Sequence, residues 1–227
     1  MTFYYLRTKN WFVAGMCGLF ASLTRNFGLL LLLPAALEFL IQNKIFIKLK
    51  NKKFAEVVSE FARSGIFIFL IPLGFVIYLF INKAVTGNWF TFMAYQAEYW
   101  HHRFAPFVDL KEYAMNAIAG ISQWAASDRI SLWIPQVFLI ILAMGFIFYA
   151  FRKIRYSYIV YMYIYLVFCL SVTWLLSGPR YLMGAFPLYI LFSLLAQNKK
   201  VDIILSFASV MFLCFYTLVY TTGYRVM

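Results

Sequence analysis

The chain has 227 residues and a mass of 26.6 kDa, with 64% hydrophobic, 22% aromatic and only 12% charged residues. The apolar residues come in long blocks, which excludes an ordinary soluble domain and leads us to expect an all-α fold: one polytopic membrane helix bundle forming a single transmembrane domain over residues 1–227. The formal net charge of +12 sits mostly in short loops between those blocks, a positive-inside pattern, so nucleic acid is not an expected partner.

Residues 2–6 are apolar but too few to span, and Arg7 and Lys9 follow at once. They read as the tail of a helix. The apolar run 11–41 is interrupted by Arg25, a guanidinium that cannot shed its proton and is costly in hydrocarbon. One long helix through Arg25 would place basic clusters on both sides of a membrane. Two helices, at 11–23 and 27–41, place both clusters on one side, which charge asymmetry favours. On this hairpin reading Thr24 caps the second helix and Arg25 lies near its N-terminus. Residues 43–63 form a basic amphipathic connection that also holds Glu56 and Glu60.

A third helix is expected at 64–81, bent by Pro72 and Gly74. A long aromatic segment at about 83–129 follows as the main non-cytosolic loop. Helices at 130–151 and 156–176 come next, the first capped by Ser127 or Asp128. The turn 177–180 leads to a helix ending near 196 with Pro187 inside it, and a seventh helix covers 201–220. With alternating sides, thirteen basic residues fall on the N-terminal, cytosolic side and seven on the other. The expectation is therefore seven transmembrane helices.

No phosphate-cradling glycine loop, zinc spacing or nucleophile elbow appears, and neither a metal nor another cofactor is expected. His101 and His102 are adjacent and would diverge on a helix. Cys17, Cys169 and Cys214 lie in apolar blocks and read as small buried residues. Arg25, Arg103 and Arg180 fall in three separate non-cytosolic segments. Arg25 and Arg180 each follow a turn residue and precede an apolar helix, where free N–H groups and a guanidinium suit a phosphate. Arginines snorkelling to lipid head groups fit the same pattern. In 94–103, helical spacing puts Gln96, Trp100 and Arg103 on one face and Tyr95, Glu98 and His102 on another. That segment reads either as an interfacial aromatic helix or as a sugar-binding lid using Gln96, Glu98 and Trp100.

Three stretches resemble the GPI mannosyltransferase II family (the PIG-V type) and its prokaryotic relatives. They are Ala21-Ser22-Leu23-Thr24-Arg25-Asn26-Phe27-Gly28; Gly87-Asn88-Trp89 with Gln96, Trp100, Arg103 and Pro106; and Ser177-Gly178-Pro179-Arg180-Tyr181 with Pro187-Leu188-Tyr189. The resemblance implies a GT-C-like membrane glycosyltransferase with a polyprenyl- or dolichyl-phosphate mannose donor and an active site on the non-cytosolic face. It implies residence in the plasma membrane of a prokaryote or the endoplasmic reticulum membrane of a eukaryote. It also implies a catalytic acid in an early non-cytosolic loop, whereas the turn 24–26 has none. The chain therefore reads as the C-terminal part of such a transferase. Its catalytic residues are unknown and its activity alone is open. Expected partners are the lipid-phosphate sugar donor, membrane lipids and a separate chain supplying the N-terminal half. The competing readings are a lipid-linked-sugar transporter or flippase-like protein, and a noncatalytic membrane subunit. Transporters place ionisable groups near mid-membrane, and here Glu38 is the main such residue in an apolar block.

Overall fold

The computed structural model describes residues 1–100, 115, 119, 129–171 and 178–224. They are all helical in architecture, with no strand among them. Because the chain groups into two units, 1–96 with 155–161 and 97–154 with 162–227, each is described by itself.

In the first unit, α1 (Thr2–Arg7) leads through Lys9 into α2 (Trp11–Thr24). Asn10 caps α2 by accepting from the Val13 N–H. The helix stops where the sequence pattern placed the break. The Thr24 hydroxyl donates back to the carbonyls of Phe20 (2.9 Å) and Ala21 (3.1 Å), and Arg25 turns to extended backbone at φ −152°. Thr24 thus satisfies the end of the first helix and does not cap the second. A 3₁₀ stretch, Asn26–Leu31, then feeds α3 (Leu32–Gln42). The two arms run antiparallel: Trp11, at the start of α2, meets Phe39, near the end of α3, edge to face with centroids 5.4 Å apart.

Lys44, in left-handed backbone, turns the chain into α4 (Ile45–Lys50), and Lys52 does the same before α5 (Phe54–Arg63). Lys53 donates to Glu56 at 2.7 Å, and this hydrogen bond holds the exposed Glu56 carboxyl below its ordinary range. A 3₁₀ turn, Gly65–Phe69, opens α6 (Leu70–Thr86). Pro72 and Gly74, where a bend was expected, also have definite local settings. Pro72 occupies the first turn of α6, where a missing N–H leaves no carbonyl unpaired. Gly74 is buried, and a Cβ there would collide with the Leu19 carbonyl. Likewise a Cβ on Gly15 would strike the Phe67 carbonyl and one on Gly18 the Ile71 side chain. Contacts 15–67, 18–71 and 19–74 rise together, so α2 and α6 run parallel with their backbones nearly touching. Small residues that admit such approach are the common device for packing apolar helices in a membrane.

Gly87, at φ 77°, ends α6, and α7 (Thr91–Trp100) follows. The helical structure read at 94–103 is therefore present to Trp100; the rest lies outside the described residues.

In the second unit a π-helical turn, Arg129–Trp133, opens α8 (Ile134–Ala150). The caps expected at Ser127 or Asp128 lie outside the described residues. Arg152, in left-handed backbone, precedes α9 (Tyr156–Leu170), whose first residues belong to the first unit. The expected turn at 177–180 instead holds the start of a short helix, α10 (Gly178–Leu182). Pro187 does not lie inside a helix; it opens α11 (Pro187–Leu195), because its fixed φ and absent N–H suit a first helical position. Phe146 of α8 meets Phe192 of α11 edge to face at 4.8 Å. The unit ends with α12 (Lys199–Thr221). The expectation of buried cysteines holds for Cys169, while Cys17 is half-buried and Cys214 exposed.

Two stretches, Gly65–Thr86 and Lys199–Thr221, are long and apolar enough to cross a membrane. At 22 and 23 residues they reach roughly 33–35 Å, against a hydrocarbon core of about 30 Å. Trp11–Thr24, Asn26–Gln42, Val137–Ala150 and Tyr156–Cys169 are apolar but shorter. Seven full-length spans are therefore not seen among the described residues.

Gly74→Ala should lower the detergent-solubilised protein's unfolding free energy by about 1–3 kcal/mol through overpacking. Gly145→Ala, where a new Cβ meets nothing within 4 Å, should raise it by up to about 1 kcal/mol. Thermal unfolding of the two variants checks this difference in sign.

Candidate functional site

The turn at Arg25 is held by backbone hydrogen bonds on both sides. Its N–H donates to Ala21 at 3.0 Å and its carbonyl accepts from Gly28 at 2.7 Å. Gly28 lies against the backbone of Ala21 and Ser22, where any side chain would collide. The Arg25 side chain is exposed, with its guanidinium carbon 6.0 Å from the centroid of the Phe27 ring.

The Gly87-Asn88-Trp89 stretch builds the joint between α6 and α7. The Lys83 ammonium donates to the Gly87 carbonyl at 2.6 Å, and the Asn88 side chain accepts from the Phe90 N–H at 3.1 Å. The hydroxyls of Thr86 and Thr91 lie 2.6 Å apart, and Trp89 packs edge to face on Phe80 at 4.9 Å. Asn88 thus acts as a local turn-maker. Beyond it, Gln96 and Glu98 are exposed on α7. Gln96 and Trp100 have the helical i,i+4 spacing read from the sequence. Arg103, His101 and His102 lie outside the described residues.

Arg180 is the third residue of α10, exposed, with its guanidinium carbon 5.9 Å from the centroid of Tyr181. Arg25 belongs to the first unit and Arg180 to the second. Each therefore sits beside an aromatic residue, Arg25 at the turn after α2 and Arg180 within the short helix α10. Among the described residues no group of three His, Cys, Asp or Glu could hold a metal ion.

The polar feature that the sequence reading left unassembled is elsewhere. Glu38, only 3% exposed in α3, forms an ion pair with Arg155 and accepts from the Gln42 amide at 2.7 Å. The same amide donates to the Leu6 carbonyl at 3.0 Å. Close by in the chain, Arg7 donates to the Tyr158 hydroxyl at 3.4 Å, and Phe3 packs on Tyr158 and Tyr161. A lone acid in an apolar block was a visible signal. Its partner was hidden among the basic residues 152–155. Glu38 is consequently a charge compensated within the first unit, not an isolated ionisable group.

Comparison with protein-family models, with curated proteins and with solved structures finds no match.

Removing the cation from Glu38 strands a buried carboxylate. Arg155→Ala should reduce unfolding free energy by about 1–3 kcal/mol, below the value for a fully buried pair because Arg155 is half exposed. Glu38→Gln combined with Arg155→Ala should recover part of that loss, which a double-mutant cycle measured by chemical unfolding would show.

Proposed function

We propose that this chain is a multi-pass membrane protein of the glycosyltransferase class, mannosyltransferase-like, forming a bundle of about seven spans that is GT-C-like. Its substrate is a polyprenyl- or dolichyl-phosphate sugar, bound at the non-cytosolic face. The observation that carries this reading is the Thr24-Arg25 break: an exposed guanidinium held at a rigid turn between two apolar helices. Such a turn favours an anion whose attached chain is apolar, and a lipid phosphate has that form. The two helices long enough to cross a membrane and the exposed apolar surface of α12 support the membrane setting. The order of the three family-like stretches supports the sugar-transfer chemistry.

In this scheme Arg25, Arg103 and Arg180 bind the donor phosphate, and Gln96, Glu98 and Trp100 contact the sugar. The turn 24–26 offers no carboxylate, so no catalytic acid is assigned there. Glu98 is an acid on α7 but is assigned to sugar hydroxyls, not to proton transfer.

A charge-assisted hydrogen bond contributes roughly 1.5–3 kcal/mol. Arg25→Ala and Arg180→Ala should each weaken binding of a polyprenyl-phosphate sugar on the order of ten- to a hundredfold. Lysine at either position should restore only part, since it keeps the charge and loses the planar fork. Titration of the purified protein with the donor checks this; unchanged affinity in both alanine variants would leave the arginines as head-group anchors only.

A further inference from the structure

The segment 44–63 carries five lysines and Arg63 against two glutamates, and its two helices leave apolar side chains in the open. Lys48 pairs with Glu60 at 3.1 Å and Lys53 with Glu56 at 2.7 Å. Lys44, Lys50, Lys52 and Arg63 are all exposed. On α4, Phe46, Ile47 and Leu49 are exposed while Ile45 is buried. On α5, Phe54, Val57, Val58 and Phe61 fall on one face and Glu56, Ser59, Glu60 and Arg63 on the other. Phe61 anchors that apolar face, packing on Phe39 and Phe69 at 6.3 and 6.1 Å. Phe54 and Val58 remain 60% and 67% exposed.

We infer that α4 and α5 form a surface-lying hairpin that docks on anionic lipid head groups at the basic, cytosolic side of the membrane. Three observations select that occupant. The surface is apolar and cationic at once, which matches an anionic bilayer interface better than an apolar protein groove. The exposed basic residues lie at both ends of the apolar side chains, where long stems can reach head groups. Arg63 is separated only by Ser64 from Gly65–Thr86, one of the two stretches able to cross a membrane, so α5 joins that stretch at its end. The inference rests on the membrane setting proposed above, and its test separates the two.

The full chain is reconstituted in nanodiscs of phosphatidylcholine alone and of phosphatidylcholine mixed with phosphatidylglycerol, and amide hydrogen exchange is followed by mass spectrometry. Amides of 44–63 should exchange about fivefold or more slowly in the anionic discs. Combined Lys44→Gln, Lys50→Gln and Lys52→Gln should abolish most of that difference, as should high salt on the unmodified chain. Amides of α12 should be protected in both compositions. Equal exchange of 44–63 in the two discs, with α12 protected in both, would overturn the hairpin's lipid docking and leave the membrane setting intact; such a result would point to a protein partner or to water. Unprotected α12 in both would remove the membrane setting and this inference together.

Discussion

The backbone of α2 lies so close to α6 and the 3₁₀ turn before it that three positions along the contact favour glycine. Gly15 faces the Phe67 carbonyl, Gly18 the Ile71 side chain and Gly74 the Leu19 carbonyl. That approach fixes the register and the parallel sense of the two helices. It leaves α3 to return antiparallel, since α2 ends at Arg25 and the chain must come back before α6 begins. Lys9, Lys44 and Lys52 then mark the turns at one end of the first unit and Arg25 the turn at the other. A larger residue at these glycines would force the two elements to shift, and the Arg25 turn, with Gly28 against Ala21, sits at the end of that contact.

The Glu38–Arg155 pair adds the start of α9 to the same frame. An acid in an apolar helix is tolerable when its cation and its remaining hydrogen bonds are supplied locally. Here Arg155 supplies the cation and Gln42 a hydrogen bond, and Gln42 also ties in α1 through the Leu6 carbonyl. The residues at 7, 42 and 155 thus gather at one end of the first unit.

Much of this was legible from the residues. Arg25 in an apolar run announced a break because hydrocarbon penalises a fixed charge, and the helices stop and restart around it. Aromatics too dense for a solvated loop, with charges too many for a span, marked α7, and the basic amphipathic pattern marked α5. Other features were not legible. Pro72, Gly74 and Pro187 carry no label that distinguishes bending, close packing and helix initiation; only the neighbouring chain decides. The left-handed turns at Lys9, Lys44, Lys52 and Arg152 lack the glycine that normally signals such backbone, so their locations were hidden. Pairing Glu38 with Arg155 needed contact over 117 positions, which no local pattern encodes. For the site, sequence supplied the arginines and the structure supplied the backbone that holds Arg25.

The proposed topology places Arg25 at the opposite side of a membrane from the basic turns. Cysteines introduced singly at Lys50, Arg152, Arg25 and Arg180, with the native cysteines replaced, can be challenged by a membrane-impermeant maleimide from each side of sealed vesicles. The proposed topology predicts that positions 50 and 152 react only from the cytosolic side and positions 25 and 180 only from the other. Reaction of position 25 from the same side as position 50 would contradict it.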